Sequence, residues 1–164
     1  MALTIGNWTE KTVNRLYRAT CNVAFTTAET DAYTLKTPNG GLDPTKPWTL
    51  IVAAAATADG QALPFDIWVG HDDDFLLSGQ GGNVVAVNGG MFKEICNDIV
   101  LAVTTVEFVF LMEPQLAVAD VVTVAAQNTG FKINIPVAPY YAFNLDGGST
   151  LNATNCDFTI IQAK

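Results

Sequence analysis

The chain has one histidine, three cysteines and no apolar run of about 18 residues, the length that a membrane-spanning helix requires. Its serines, Ser78 and Ser149, have no catalytic motif around them, so a serine–histidine arrangement is not indicated. The start of the chain lacks a basic stretch followed by a long apolar stretch, as a secretory signal would have. We therefore expect synthesis in the cytosol, no membrane partner and no histidine-based catalysis.

The cysteines also exclude some classes of site. Cys21, Cys96 and Cys156 are odd in number and widely spaced, which argues against a disulfide framework and against a paired-cysteine metal site. Small thiols of this kind are commonly buried among apolar side chains. We expect reduced, buried cysteines, no metal and no cofactor.

Charge is scarce and unevenly distributed. Only 15% of the residues are charged, and the formal net charge is −8. Acidic residues dominate the middle of the chain, so direct binding of nucleic acid is not expected. The first 18 residues differ, because Lys11, Arg15 and Arg18 stand there against Glu10. This basic segment on an acidic body predicts docking on another copy, giving a homo-oligomer, or on an acidic shell.

The strongest local pattern is the alternation of apolar with polar or small residues over 131–138, which is typical of a strand. A chain of 164 residues forms one domain and buries roughly 70% of its unfolded surface. The prediction is all-β: a single antiparallel β-sandwich or jelly-roll-like barrel. Predicted strands cover residues 19–27, 32–37, 48–56, 63–69, 84–87, 99–103, 106–112, 121–125, 131–137, 140–145 and 158–161.

Finer features of this sandwich are also predicted. The strands at 48–56 and 63–69 would form a hairpin through Asp59-Gly60, and Pro114 would end the strand at 106–112. Residues 91–98 fit a helix or a strand equally well. One buried face is expected to contain Phe131, Ile133, Ile135 and Val137 together with Phe65, Ile67, Val69, Phe108 and Phe110.

The N-terminal segment is the one helical candidate. Over residues 8–18, Val13, Leu16 and Tyr17 share a helical face, and Thr9 can serve as N-cap. The chain would then consist of an N-terminal arm or helix, residues 1–18, and a β-sandwich domain, residues 19–164. Candidate assembly contacts are Trp8, Lys11, Arg15, Leu16, Tyr17 and Arg18. The alternative is that this segment caps one open end of its own sandwich.

Two further clusters have a functional and a structural interpretation. His71-Asp72-Asp73-Asp74 offers oxygen ligands for a cation such as calcium, but adjacent side chains of an extended segment point to opposite faces. A solvated acidic turn is therefore the favoured interpretation. The aromatic residues can form a sugar-binding surface or pack in the core, and core or interface packing is favoured. They are Trp48, Trp68, Tyr140 and Tyr141.

As a whole, the chain resembles virion structural proteins of tailed bacteriophages, particularly head decoration (auxiliary capsid) proteins. The resemblance rests on the direct start Met1-Ala2-Leu3-Thr4, on alanine-, threonine- and valine-rich strands such as residues 49–55, and on an end within a strand at 158–164. It implies a non-enzymatic oligomeric β-domain in the virion, bound to the major capsid protein or another virion protein and stabilising the shell.

Two alternatives belong to other classes. A carbohydrate- or receptor-binding β-sandwich of a tail or fibre would use exposed aromatic residues beside acidic loops. A small hydrolase on a jelly-roll scaffold would need several polar residues that converge in a pocket.

Overall fold

The computed structural model describes residues 3–5, 7–25, 32–38, 41–54, 63–70, 76–78, 85–87, 93–101, 106–116, 122–123, 131–146 and 155–164. All regular elements in these ranges are strands: β1 Leu3–Ile5, β2 Thr9–Val13, β3 Leu16–Phe25, β4 Ala32–Lys36, β5 Trp48–Ala54, β6 Leu63–Gly70, β7 Leu76–Ser78, β8 Val85–Val87, β9 Lys93–Leu101, β10 Val106–Gln115, β11 Val122–Thr123, β12 Phe131–Pro136, β13 Tyr140–Asp146 and β14 Asn155–Ala163. Within this described part, no helix is long and apolar enough to cross a bilayer.

Eight of the strands pair as a folded-over hairpin. β3 pairs with β14, β4 with β13, β5 with β10 and β6 with β9, all antiparallel. The order β3-β14-β5-β10 forms the centre of a seven-stranded sheet, and β4-β13-β6-β9 forms most of a five-stranded sheet. This nested order, first strand with last and second with second-last, is that of a jelly roll, so the predicted all-β sandwich is confirmed.

The remaining strands extend this framework. β1 and β2 both pair antiparallel with β3 at one edge of the large sheet. At the other edge β12 runs parallel to β10, and in the small sheet β11 runs parallel to β9. β7 and β8 form a separate two-stranded ribbon. The sheets are therefore mixed, whereas purely antiparallel pairing was expected.

Aromatic side chains from the two sheets meet in the core. The ring of Trp48 on β5 lies 5.4 Å from the ring of Tyr141 on β13, centroid to centroid. Phe158 on β14 stacks on Phe143 of β13 at 5.7 Å. All four side chains are fully buried, and contacts of this kind add to the free energy gained from burying their large apolar areas. The facing aromatic rings hold the two sheets together.

Loops at one end of the sandwich are held by buried polar groups. The Tyr141 hydroxyl donates to the carbonyl of Pro136 at 2.8 Å, and the amide of Tyr141 donates to Thr37 Oγ1 at 3.2 Å. Gln162, also buried, accepts from the amide of Asp43 and donates to the carbonyls of Asp43 and Lys46. These bonds satisfy polar groups that would otherwise destabilise the core.

Several sequence predictions of packing are confirmed. Ile133, Ile135, Ile67, Val69 and Phe110 are buried in one cluster that spans both sheets. The prediction that Val137 is buried is wrong, because this residue follows the end of β12 and its side chain is exposed. The side chains of Phe131, Phe65 and Phe108 lie outside the described residues. Of the segment at residues 91–98, residues 93–98 lie in β9, so this part is a strand.

Two predictions about connections are wrong. β5 and β6 do not form a hairpin, because a jelly roll places these consecutive strands in different sheets. β10 continues through Pro114, which lies opposite Ile135 of β12. Its pairing with β5 ends earlier, at Met112, so the missing amide hydrogen of proline is tolerated where the strand has a neighbour on one side only.

Candidate interaction surface

The predicted helix at residues 8–18 is wrong, because this segment forms the hairpin of β2 and β3. Asn14 and Arg15 make the turn, with positive φ angles of 51° and 64°. Positive φ at both central residues defines the tight turn whose twist suits a two-stranded hairpin, and asparagine tolerates it well. The predicted boundary between residues 18 and 19 falls within β3.

Strand geometry divides the six candidate assembly contacts. Lys11, Leu16 and Arg18 lie on the outer face of the large sheet and are exposed. Tyr17 is buried on the inner face, and Trp8 packs against the core while partly buried. Arg15 is exposed in the hairpin turn. Tyr17 and Trp8 therefore contact the core instead of a partner. The helical interpretation of this segment did not predict this difference among the six residues.

The outer residues of the hairpin line a groove of about 300 Å³. Its lining comes from β2, the turn, β3 and β14: Lys11, Val13, Asn14, Leu16, Arg18 and Ile161. Val13 and Leu16 are 46% and 49% exposed, which is high for large aliphatic side chains. The groove thus combines an apolar surface with two cations and has no carboxylate among its lining residues.

On the inner face of the hairpin, Tyr17, Glu10 and Lys164 contact other groups of the chain. The Tyr17 hydroxyl donates to Glu10 Oε2 at 2.8 Å. Burial, and then the hydrogen bond and charge of Glu10, raise the pKa of Tyr17 well above its ordinary value. Lys164 Nζ donates to the carbonyl of Gly41 and lies 4.9 Å from the centre of the Tyr17 ring. Glu10 and Lys164 are therefore occupied by partners of their own.

Exposed aliphatic residues continue across the outer face of the large sheet. Val109 and Leu111 of β10 are 42% and 39% exposed, and Val109 lies opposite the half-buried Ile51 of β5. Beyond them, Lys132 of β12 forms an ion pair with Glu113. The outer face therefore has aliphatic surface between Lys11 and Arg18 at one edge of the sheet and Lys132 at the other. Among the described ion pairs of these three cations, only Lys132 has a carboxylate partner.

A second, more polar cleft of about 550 Å³ lies next to the groove on this outer face and shares Arg18 with it. Its polar lining comes from the chain near β2, from β3 and from β14: Asn7, Thr9, Arg18, Thr20, Asn22, Asp157 and Thr159. Asn22 Nδ2 donates to Asp157 Oδ1 at 2.7 Å. Sequence reasoning missed this cleft because β3 and β14 are adjacent in space but come from opposite ends of the chain.

The aromatic residues considered for sugar binding have a structural role where they are described. Trp48 and Tyr141 are fully buried, and Trp68 is 9% exposed. Tyr140 is half-buried. The interpretation of Trp48 and Tyr141 as core residues is confirmed, and Trp68 is buried outside the core cluster, so these three side chains do not present a stacking surface to a sugar.

The other candidate chemistry has few described groups. His71 to Asp74 lie outside the described residues, as do the side chains of Cys96 and Cys156. Cys21 is buried, and burial followed by the charge of Asp157 raises the pKa of its thiol. Among the residues described, no three histidine, cysteine, aspartate or glutamate side chains are grouped to hold a metal ion.

Comparisons with known proteins add little. No protein-family model matches the chain, and no curated protein matches it. Among solved structures, the chain described as "Structure of PfGH50B" aligns over 99% of this chain with 10% identity and a TM-score of 0.29. This chain spans 22% of that chain's length. A TM-score this low carries no argument, so function must be argued from the surface itself.

Proposed function

We propose that the chain is a non-enzymatic structural protein of a tailed-bacteriophage virion, a decoration protein that binds the head shell and stabilises it. It would act as an oligomer on the major capsid protein, without catalysis or a cofactor. The jelly-roll order supports this role, since viral capsid domains use it, but lectin domains use it too. Fold alone does not decide function, and the surface must supply the argument.

The observation that carries the proposal is the aliphatic outer face of the large sheet. Val13, Leu16, Val109 and Leu111 are exposed on the outer face, whereas Tyr17, Phe110 and Met112 on the inner face of β3 and β10 are buried. Isolated exposed aliphatic residues are ordinary, but several on one sheet face are typical of an interaction surface. Cations at the hairpin side give the surface a polarity that suits an acidic partner. Such a face suits a protein whose function is to bind another protein through this surface.

The test is binding to heads that lack this protein, prepared from the phage that encodes it. Purified protein should co-sediment with these heads up to a fixed number of copies per head and should raise the temperature at which they break open. Its removal should lower that temperature again. Protein that stays in the supernatant at every concentration would contradict the proposal.

The structure changes how the hairpin must be tested. Removing residues 1–18 would delete the start of β3 and the buried Tyr17, so a truncated chain would lose core packing as well as surface. Single substitutions of outward-facing residues are the appropriate variants, because they leave the inner face intact.

The polar cleft favours a second candidate, a carbohydrate- or receptor-binding module of a tail or fibre. Threonine hydroxyls and the Asn22–Asp157 pair offer the donors and acceptors that a neutral sugar requires. Retention on a glycan array that is lost in Asn22→Ala and Asp157→Ala would favour this function. No retention, combined with binding to heads, would favour decoration.

A further inference from the structure

The groove of the hairpin has charge of one sign. Lys11 and Arg18 lie among its lining residues, and Arg15 stands at the adjoining turn. The ion pairs of the described residues are those of Lys46 with Asp43 and of Lys132 with Glu113, and none involves these three cations. In the same groove, Val13, Leu16 and Ile161 provide aliphatic surface.

The cations and aliphatic side chains of the groove favour some binding partners over others. In a two-fold symmetric dimer through the groove, the same patch of each copy would face the other, and Lys11, Arg15 and Arg18 would approach their own equivalents. Like charges brought together in this way oppose association. A membrane or a nucleic acid carries dense negative charge over a large area, so the net charge of −8 repels both at longer range far more than it repels a short segment with a few carboxylates. An acidic protein segment satisfies both the cations and the aliphatic surface.

We propose that the groove binds an extended segment of another protein that carries carboxylates beside an aliphatic or aromatic side chain. The carboxylates pair with Lys11 and Arg18, and the apolar side chain packs on Val13, Leu16 and Ile161. This inference rests on the proposed function, in which the segment belongs to the shell protein. It adds the chemistry by which that partner is recognised.

A synthetic peptide that alternates aspartate and leucine is the probe. Titrated into 15N-labelled full-length protein, it should shift amide resonances at residues 11–18 and at Ile161. A matched peptide with asparagine in place of aspartate should bind about tenfold more weakly, since it removes several charge pairs that each contribute up to about fivefold. Raising the salt concentration from 0.1 M to 1 M shortens the screening length from about 10 Å to about 3 Å, so it should weaken binding of the acidic peptide.

Protein variants locate the interaction. The double substitution K11Q/R18Q should reduce affinity for the acidic peptide by about tenfold or more, whereas K132Q, an exposed cation at the other side of the same sheet, should not. Leu16→Ser should also weaken binding, while Leu116→Ser, just beyond the end of β10, should leave it unchanged. Both are exposed leucines, so they form a matched pair.

The inference is overturned if the asparagine peptide binds equally well, or if shifts map away from the hairpin. It is also overturned if the labelled protein self-associates in a way that K11Q/R18Q abolishes, because a second copy would then occupy the groove. The proposed function fails separately: peptide binding without attachment to heads refutes decoration only, and attachment to heads without peptide binding refutes this inference only.

Discussion

The inner and outer faces of the large sheet are built from the same strands but have different surroundings. On β3, Tyr17 is 2% exposed and its neighbour Leu16 is 49% exposed. On β10, Phe110 is fully buried between two exposed aliphatic residues, Val109 and Leu111. The small sheet covers the inner face alone. Apolar character in this sheet therefore does not by itself mean burial in the core, and we propose that a partner covers the exposed aliphatic residues.

The largest difference between the two faces is expected on β12, where consecutive residues face opposite ways. Ile133→Ala should lower the free energy of unfolding by about 2–5 kcal/mol, because it leaves a cavity in the core. Lys132→Ala should cost no more than about 1 kcal/mol, the upper end for an exposed ion pair. Urea denaturation of both variants measures this. Similar losses at both positions would mean that the two faces are wrongly assigned.

A second prediction tests how tightly the inner face is packed near the hairpin. A Cβ added at Gly41 would clash with Cε2 of the buried Tyr17 ring. Gly41→Ala should therefore destabilise the fold by about 1–3 kcal/mol through overpacking. In a Tyr17→Leu background the same substitution should cost much less, since the ring atoms it meets are gone. Thermal denaturation of the four proteins completes the cycle, and additive costs would show that Gly41 and Tyr17 do not interact.

A third prediction concerns alkaline pH. Burial raises the pKa of Tyr141 to about 12, from an ordinary value of 10.0, while the amide of Ala138 acts in the opposite direction. Between these values the folded state retains a proton that the unfolded chain has lost. This contribution is complete below pH 10 and is lost as the pH rises towards 12. Tyr17, whose pKa is also raised, contributes in the same direction.

The measurement is urea unfolding as a function of pH. Stability of the wild type should fall from pH 10 to 12, and Tyr141→Phe should make that fall shallower. At neutral pH the free energy of unfolding of the variant should be lower by about 1 kcal/mol, because the variant lacks the hydroxyl that donates to the Pro136 carbonyl. An identical pH dependence in wild type and variant would contradict the role of buried Tyr141.

The smallest effect is expected on the outer face. Val109→Thr and Leu111→Thr keep β-propensity and remove exposed aliphatic surface, so stability should change by no more than about 0.5 kcal/mol. Thermal denaturation of each variant measures it. A loss comparable to that of Ile133→Ala would show that this face is covered within the chain itself.

Much of the inner face could be predicted from sequence because two-residue alternation is a local signal. Cys21 and Val23, and likewise Ile133 and Ile135, are buried on alternate positions as that pattern indicates. At the N-terminus the same logic failed: Val13, Leu16 and Tyr17 fit a helical spacing, and Asn14-Arg15 lacks the glycine that usually marks a tight hairpin. Only tertiary packing distinguishes buried Tyr17 from exposed Leu16.

Pairing between distant strands could not be predicted. Asp59-Gly60 suggested a local turn, yet β5 pairs with β10 and β14 because the nested order of the whole chain decides its neighbours. The groove likewise needs Ile161 from the last strand beside the first hairpin. Sequence reasoning named Lys11, Leu16 and Arg18 from charge and hydrophobicity, but the surface they share with β14 follows from topology alone.

We propose that the outer face at the hairpin binds the partner, while the inner face maintains the fold. Co-sedimentation of the Leu16→Asp variant with heads that lack this protein tests it most directly, once circular dichroism shows wild-type strand content. The folded variant should remain in the supernatant, while a Leu116→Asp control, at an exposed leucine just beyond the end of β10, should pellet with the heads. Pelleting of Leu16→Asp at the wild-type level would contradict it.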